Sequence, residues 1–384
     1  MPSLAPRTRG ALCLLAAVAL AAAAAPSFLR MRGDDPISPG PGVSAQRTLS
    51  DWLPALAGTP VDTPVFVMEG EAPGGTVVVL GGTHGDEPAG YVAAVVLVEH
   101  ARVAAGRLIV IPRANASGFT HNIGQEAHPQ WFELDTPGGP RRFSHGARAS
   151  NPVHQWPDPQ VYFHAGSGQA LSGTETRNLN RAYPGRADGS ITERLALAIT
   201  TLIAKEQATL AIDLHEASPE YPVVNTLVAH QRAMDLAALA NVALQEEGVA
   251  IGLEASPESL HGLSHREWGD ATGALALLAE TTNPAQGRLR GATGADLVTT
   301  GRDRFYTHAS TRGRLSVPFP NEGWPLDVRV ARHLATVREL VATLALVEPD
   351  HAVELEDVPS YAEVVEGGIG RWLRPPERPT RSLP

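Results

Sequence analysis

The stretch Val77-Val78-Val79-Leu80-Gly81-Gly82-Thr83-His84-Gly85-Asp86-Glu87-Pro88 decides how this chain is read. Its first four residues are apolar and mostly β-branched, the mark of a buried strand. Two glycines let the chain turn, and Pro88 suits the first position of a helix. A strand that turns into a helix is the repeating unit of a parallel sheet covered by helices. The turn also carries an imidazole and a carboxylate, His84 and Glu87, in the pattern H-x-x-E. Zinc ligation by His and Glu needs such groups to converge from one side. The bland alternative is an incidental turn histidine beside a carboxylate favoured by the helix dipole.

Working outward, apolar runs at Arg107–Pro112, Thr209–Leu214 and Gly273–Ala279 predict strands beside Thr76–Leu80. Helices are predicted over Ala89–Ala101, Ile191–Gln207, Gln231–Glu246 and Leu326–Leu346. The alternation predicts one α/β domain over 61–348, with a mostly parallel mixed sheet flanked by helices. Ligands of such sheets gather at the carboxyl ends of the strands. The run Ala211-Ile212-Asp213-Leu214-His215 ends at such a place, so His215 joins His84 and Glu87 as a candidate ligand. Asp213 and His215 share a face, being i and i+2 in a strand. Asp213 is therefore placed to fix the imidazole tautomer. Glu216 is expected to face solvent.

Arg177-Asn178-Leu179-Asn180-Arg181 sets two arginines at i and i+4 with asparagines between. Such a group can grip a carboxylate through bidentate hydrogen bonds; the bland reading is a surface loop. Glu280 closes the apolar run Ala274–Ala279, where desolvation would raise its pKa toward that of a general base. A strand-end ion pair, for instance with Arg288, is the alternative, and Glu254 is the rival base. Arg113 and Asn115 close another strand and are candidates to face the same site. No G-x-S-x-G elbow occurs, which disfavours a serine hydrolase.

Arg7 and Arg9 precede an unbroken small-apolar run from Ala11 to Ala25. This reads as an export signal over 1–25, with Ala23-Ala24-Ala25 as the cleavage site; the rival is an uncleaved anchor extended by Pro26-Ser27-Phe28-Leu29. The protein is thus expected to be periplasmic or secreted, meeting a membrane only if the segment is retained. Cleavage would remove Cys13, the single cysteine, leaving no disulfide, thiolate nucleophile or Cys ligand. The formal charge of −10 argues against nucleic acid as a partner. Lys205 is the only lysine, which excludes a P-loop and leaves Schiff-base chemistry one poor candidate. Residues 26–60 read as a linker, 126–175 as an ordered aromatic- and proline-rich insertion beside a pocket, and 349–384 as an extended tail.

Together, Gly82-Thr83-His84-Gly85-Asp86-Glu87, Asn178-Leu179-Asn180-Arg181, Asp213-Leu214-His215 and Glu280 resemble the zinc carboxypeptidase superfamily. The similarity is greatest to its succinylglutamate desuccinylase/aspartoacylase branch, and it covers roughly Val77 to Thr282. The resemblance implies one zinc ion per chain held by His84, Glu87 and His215. It implies a substrate carboxylate held by Asn180 and Arg181, with Glu280 as general base. For the arginine that polarises the scissile carbonyl it leaves two candidates, Arg177 and Arg113. The branch often has Asp where Asn178 stands, and the 126–175 insertion has no counterpart in it. The implied activity is hydrolysis of an amide in a carboxylate-bearing N-acyl amino acid or peptide. The alternatives are a zinc carboxypeptidase acting on peptides or cell-wall peptides, and an inactive carboxylate-binding protein.

Overall fold

The computed structural model describes residues 5–31, 33, 35–123 and 128–375. Part of the expected insertion (126–127) and the end of the expected tail (376–384) lie outside the described residues. The chain runs α1 (Pro6–Arg30), β1 (Ala45–Thr48), β2 (Pro64–Glu69), β3 (Ala72–Leu80), α2 (Pro88–His100) and β4 (Arg102–Ile111). Two hairpins follow, β5 (Trp131–Thr136) with β6 (Gly139–Ser144), and β7 (Val161–Phe163) with β8 (Ala170–Ser172). Then come α3 (Ile191–Lys205), β9 (Leu210–Ala217), β10 (Thr226–Ala229), α4 (Met234–Glu246), β11 (Gly252–Ala255), α5 (Ser264–Ala271) and β12 (Leu275–Thr282). Last are α6 (Ala295–Thr300), α7 (Arg304–Ser310), α8 (Leu326–Val347), β13 (Glu354–Glu356) and α9 (Tyr361–Gly367).

Nine strands form one mixed sheet in the order β1-β2-β4-β3-β9-β12-β10-β11, with β13 beside β4. The four central strands, β4-β3-β9-β12, are parallel, as predicted from their buried apolar runs. Antiparallel pairs lie to either side: β2 on β4, β1 on β2, and β10 on β12.

Strand parity sorts the core onto two faces. Val77, Val79, Ile212, Leu214, Leu277 and Ala279 pack under α2, α4 and α8. Val78, Leu80, Ala211, Ala274 and Ala276 pack under α3 and against Trp268 of α5. Fully burying each aliphatic side chain contributes about 1.5–3 kcal/mol, so the sheet is a rigid platform. At the end of β3 the turn depends on its glycines. Gly82 has φ +66°, and a Cβ on Gly81 would lie 2.6 Å from Gly90 O at the start of α2.

Two boundaries differ from expectation. The presumed linker 26–60 is largely folded: β1 extends the sheet, and Leu49, Trp52 and Leu56 are buried. Its proline and glycine content misleads because three apolar anchors suffice to dock it. The presumed extended tail is likewise folded through Pro375. β13 pairs with β4, and Val364, Ile369 and Leu373 bury against the α8 side of the core.

Candidate metal centre and substrate cavity

His84 and Glu87 sit in the turn between β3 and α2, and His215 near the end of β9, which is parallel to β3. All three are buried, and one ligand atom from each lies within 4.8 Å of the others. His84 Nδ1 is 2.6 Å from Glu87 Oε1, and His215 Nδ1 is 2.9 Å from Glu87 Oε2.

The far side of each ring fits the donor set. His84 Nε2 lies 2.9 Å from Asn178 Oδ1. That amide is oriented by its neighbours, since Asn180 N donates to Oδ1 and Asn178 Nδ2 donates to Glu175 Oε2. His215 Nε2 lies 2.8 Å from Asp213 Oδ2, while Asp213 Oδ1 accepts from Thr83 Oγ1. Acceptors at Nε2 keep the protons there and leave both Nδ1 lone pairs aimed at Glu87, the tautomer a metal ligand needs. The electrostatics agree. Burial disfavours a charged His215, but Asp213 and Glu87 outweigh it and push its pKa well above the usual value. Two buried carboxylates flanking one imidazole call for positive charge between them, and a divalent cation meets that demand without the proton. For His84, burial and then the Arg148 charge lower the pKa to about 4, leaving the ring neutral.

Glu280 enters from the next strand. In the parallel register of β12 on β9 it pairs with His215, so both side chains leave the same face. It is partly buried, and its Oε2 has no hydrogen-bond partner among the described residues. Burial foremost, with the charge of Glu87, pushes its pKa up to about 8, against the opposing fields of His215 and Arg148. The alternative pairing with Arg288 does not form among the described residues; Arg288 gives its backbone N–H to Glu220.

These groups open into a cavity of about 500 Å³ whose lining includes His84, Arg148, Asn180, Arg181, His215 and Glu280. Its wall also includes Ile123, His128 and Arg148. Asn180 Oδ1 accepts from Ser264 N of α5, and Arg181 Nη1 donates to Asn180 O, which braces this pair at the cavity edge. Glu254, the rival base, lies on the cavity wall but on exposed β11.

Four expectations are corrected by the geometry. Arg177 does not enter the cavity: its guanidinium forks onto both oxygens of Asp158 at 2.7 and 2.9 Å and donates to Ser150 O. Arg113 lies elsewhere, paired with Asp35 and stacked over Phe119. Asn115 stays outside the cavity too, its Oδ1 accepting from Gly118 N. The guanidinium beside the metal cluster is instead that of Arg148, with Nη1 3.7 Å from Glu87 Oε1 and 3.4 Å from His84 Nδ1. Arg148 follows β6 in a loop without periodicity. What seats it is a backbone exchange in which Gly85 N donates to Ala147 O and Gly146 N to Gly85 O. Glu216 does not face solvent. Parity sends it under α2 and α8, where it bonds Arg329 Nη1 at 2.6 Å and Ala89 N at 2.8 Å. Its own N–H donates to Glu87 Oε2 at 3.0 Å, so it braces the metal cluster from behind.

Comparison with known proteins agrees with the motifs. Residues 163–282 match the succinylglutamate desuccinylase/aspartoacylase catalytic domain, a stretch that includes Asn180, Arg181, His215 and Glu280. No curated protein sequence matches the chain. Among solved structures, a succinylglutamate desuccinylase from Silicibacter sp. is 21% identical, with a TM-score of 0.38. That alignment covers 65% of this chain and 63% of the relative, so the match spans less than two thirds of it. A metallo-carboxypeptidase from Burkholderia cenocepacia is 12% identical over 84% of this chain and 68% of its own, with a TM-score of 0.46. The tripeptide-bound cell shape determinant Csd4 from Helicobacter pylori is 12% identical over 78% and 59%, with a TM-score of 0.44. Over residues 163–282 the chain is similar to the succinylglutamate desuccinylase/aspartoacylase catalytic domain.

Proposed function

We propose that the protein is an exported zinc-dependent amide hydrolase acting on a carboxylate-bearing N-acyl amino acid or peptide. The observation that carries this reading is the convergence of His84, Glu87, His215, Glu280, Arg148 and Arg181 on one cavity. His84, Glu87 and His215 would hold one zinc ion, which when bound supplies a Lewis acid and makes a water acidic enough to deprotonate near neutral pH. Glu280 would take that proton once a cation beside it draws its raised pKa down, and would then return a proton to the departing amine. Arg148 donates to the oxygen on which negative charge develops. Asn180 and Arg181 hold the substrate carboxylate, fixing the scissile bond relative to Glu280. Asp213 and Asn178 keep the two imidazoles in the ligating tautomer. Neither Arg177 nor Arg113 has a part in this scheme.

The test is a substrate screen of the zinc-loaded protein against N-acyl amino acids, peptides with free C-termini and cell-wall peptides. Turnover of a carboxylate-bearing amide that disappears on chelation supports the reading. Tight binding of such compounds without turnover would instead support a catalytically inactive carboxylate-binding protein.

A further inference from the structure

Among the described residues, α1 is the one long helix that buries nothing: no residue of Pro6–Arg30 is buried, and the most apolar window has a mean hydropathy of 2.2. We propose that this helix is retained as a membrane anchor and that the face at its base, carrying Trp131, Val153 and Trp156, rests on the lipid surface. The partner is a lipid bilayer.

Length and charge come first. Arg9 and Arg30 bracket the apolar stretch Gly10–Leu29. At 1.5 Å per residue such a helix is about 30 Å long, the thickness of a hydrocarbon core. Two arginines flank the stretch on each side, Arg7 and Arg9 before it and Arg30 and Arg32 after it, so their balance sets no orientation, and the outward placement of the domain rests on the export proposed above.

Cleavage after Ala25 is disfavoured. The bond after Ala25 is Ala25–Pro26, whose nitrogen carries no proton and which peptidases cut badly. No extended polar segment follows the apolar run. The helix instead continues through Phe28 and Leu29, exposed at 57% and 61%, to Arg30.

The base of the helix is also fastened to the domain. Ser27 Oγ bonds Gln130, Arg30 lies 5.8 Å over the Trp131 ring, and Met31 is buried. Met31 shares a cavity wall with Val153, which is 73% exposed, and Trp156, three residues further on, is 75% exposed. Arg142 lies 4.8 Å over the Trp131 ring, adding a second cation at this face. Tryptophan with arginine at the foot of an apolar helix is the composition of a membrane interface. Gln130, which meets the helix, lies two residues from His128 on the wall of the substrate cavity. The anchor therefore sets the catalytic cavity close to the membrane plane.

The full chain, expressed in a bacterial host, decides the first half. The expected form has an intact mass that includes Ala11–Ala25 and pellets with membranes after an alkaline carbonate wash. Its catalytic domain is digested by protease added to spheroplasts. A soluble form lacking Ala11–Ala25 would overturn the proposal. The resting face is read separately, in proteoliposomes of the full chain made with brominated lipids. The Trp131→Phe and Trp156→Phe variants should each lower the fraction of fluorescence that the lipids quench. An unchanged quenchable fraction in both would overturn the claim that this face meets lipid.

Discussion

Replacing Arg148 by alanine removes the guanidinium whose Nη1 lies 3.7 Å from Glu87 Oε1 at the mouth of the metal cluster. Loss of one preorganised donor to a developing oxyanion costs about 10²–10³ in turnover, about 2.7–4 kcal/mol. The Arg148 side chain is 39% exposed, so solvent screens it and the lower end, about 10²-fold, is the better figure. The loss should fall on kcat, with KM little changed, because the substrate carboxylate is assigned to Arg181. Zinc affinity should not fall, since a positive charge beside the ligands has been removed. Steady-state kinetics on zinc-loaded Arg148→Ala, with metal content measured alongside, reads all three quantities. Arg177→Ala is the control: it breaks the fork onto Asp158 and should lower stability while sparing kcat of the folded fraction. Near wild-type kcat in Arg148→Ala, or a selective kcat loss in folded Arg177→Ala, would refute the assignment of Arg148.

Glu280→Gln should retain zinc and lose about 10²–10⁴ in turnover, as expected when a general base goes; zinc loss in this variant would make Glu280 a ligand instead. Arg181→Ala should weaken a carboxylate-bearing substrate by about 2–4 kcal/mol and leave its amidated analogue almost unaffected, whereas equal losses would mark Arg181 as structural. Stability should fall in acid. His145, His265 and His333 are buried and their pKa values are lowered to about 3, mainly by burial. A histidine whose folded pKa lies below its unfolded 6.5 gives its full stability above that pH and loses it as the pH falls. Between pH 7.5 and 5.5 each should lose about 1.4 kcal/mol. Denaturant titrations should show His145→Leu flattening this acid limb by close to one proton, and an unchanged slope would contradict its neutral burial.

The sequence carried the parts of the site that sit on regular elements. His84 and Glu87 follow a glycine-broken strand, and His215 and Glu280 end apolar runs, so strand ends alone brought them together. Arg148 was not legible because a backbone exchange between two loops positions it, and no local periodicity records that contact. Arg177 misled for the converse reason. Its spacing from Arg181 suggested a shared grip, but Asp158, from the insertion, claims its guanidinium. Glu216 was misread through its neighbour. In a strand buried on both faces, the residue after a ligand points into the opposite helix layer, where Arg329 neutralises it. Breaking that pair would cost about 3–5 kcal/mol. The folded segment 35–60 shows the same limit, since proline and glycine content conceals anchors such as Leu49 and Trp52.

The central claim is that His84, Glu87 and His215 hold one zinc ion. Titration of metal-stripped protein with zinc, against a chromophoric chelator, tests it most directly when His215→Ala is run beside the wild type and circular dichroism checks the fold. The account predicts one tightly bound zinc per chain in the wild type, and greatly weakened binding in a folded His215→Ala. Stoichiometric zinc at wild-type affinity in the folded variant would contradict it.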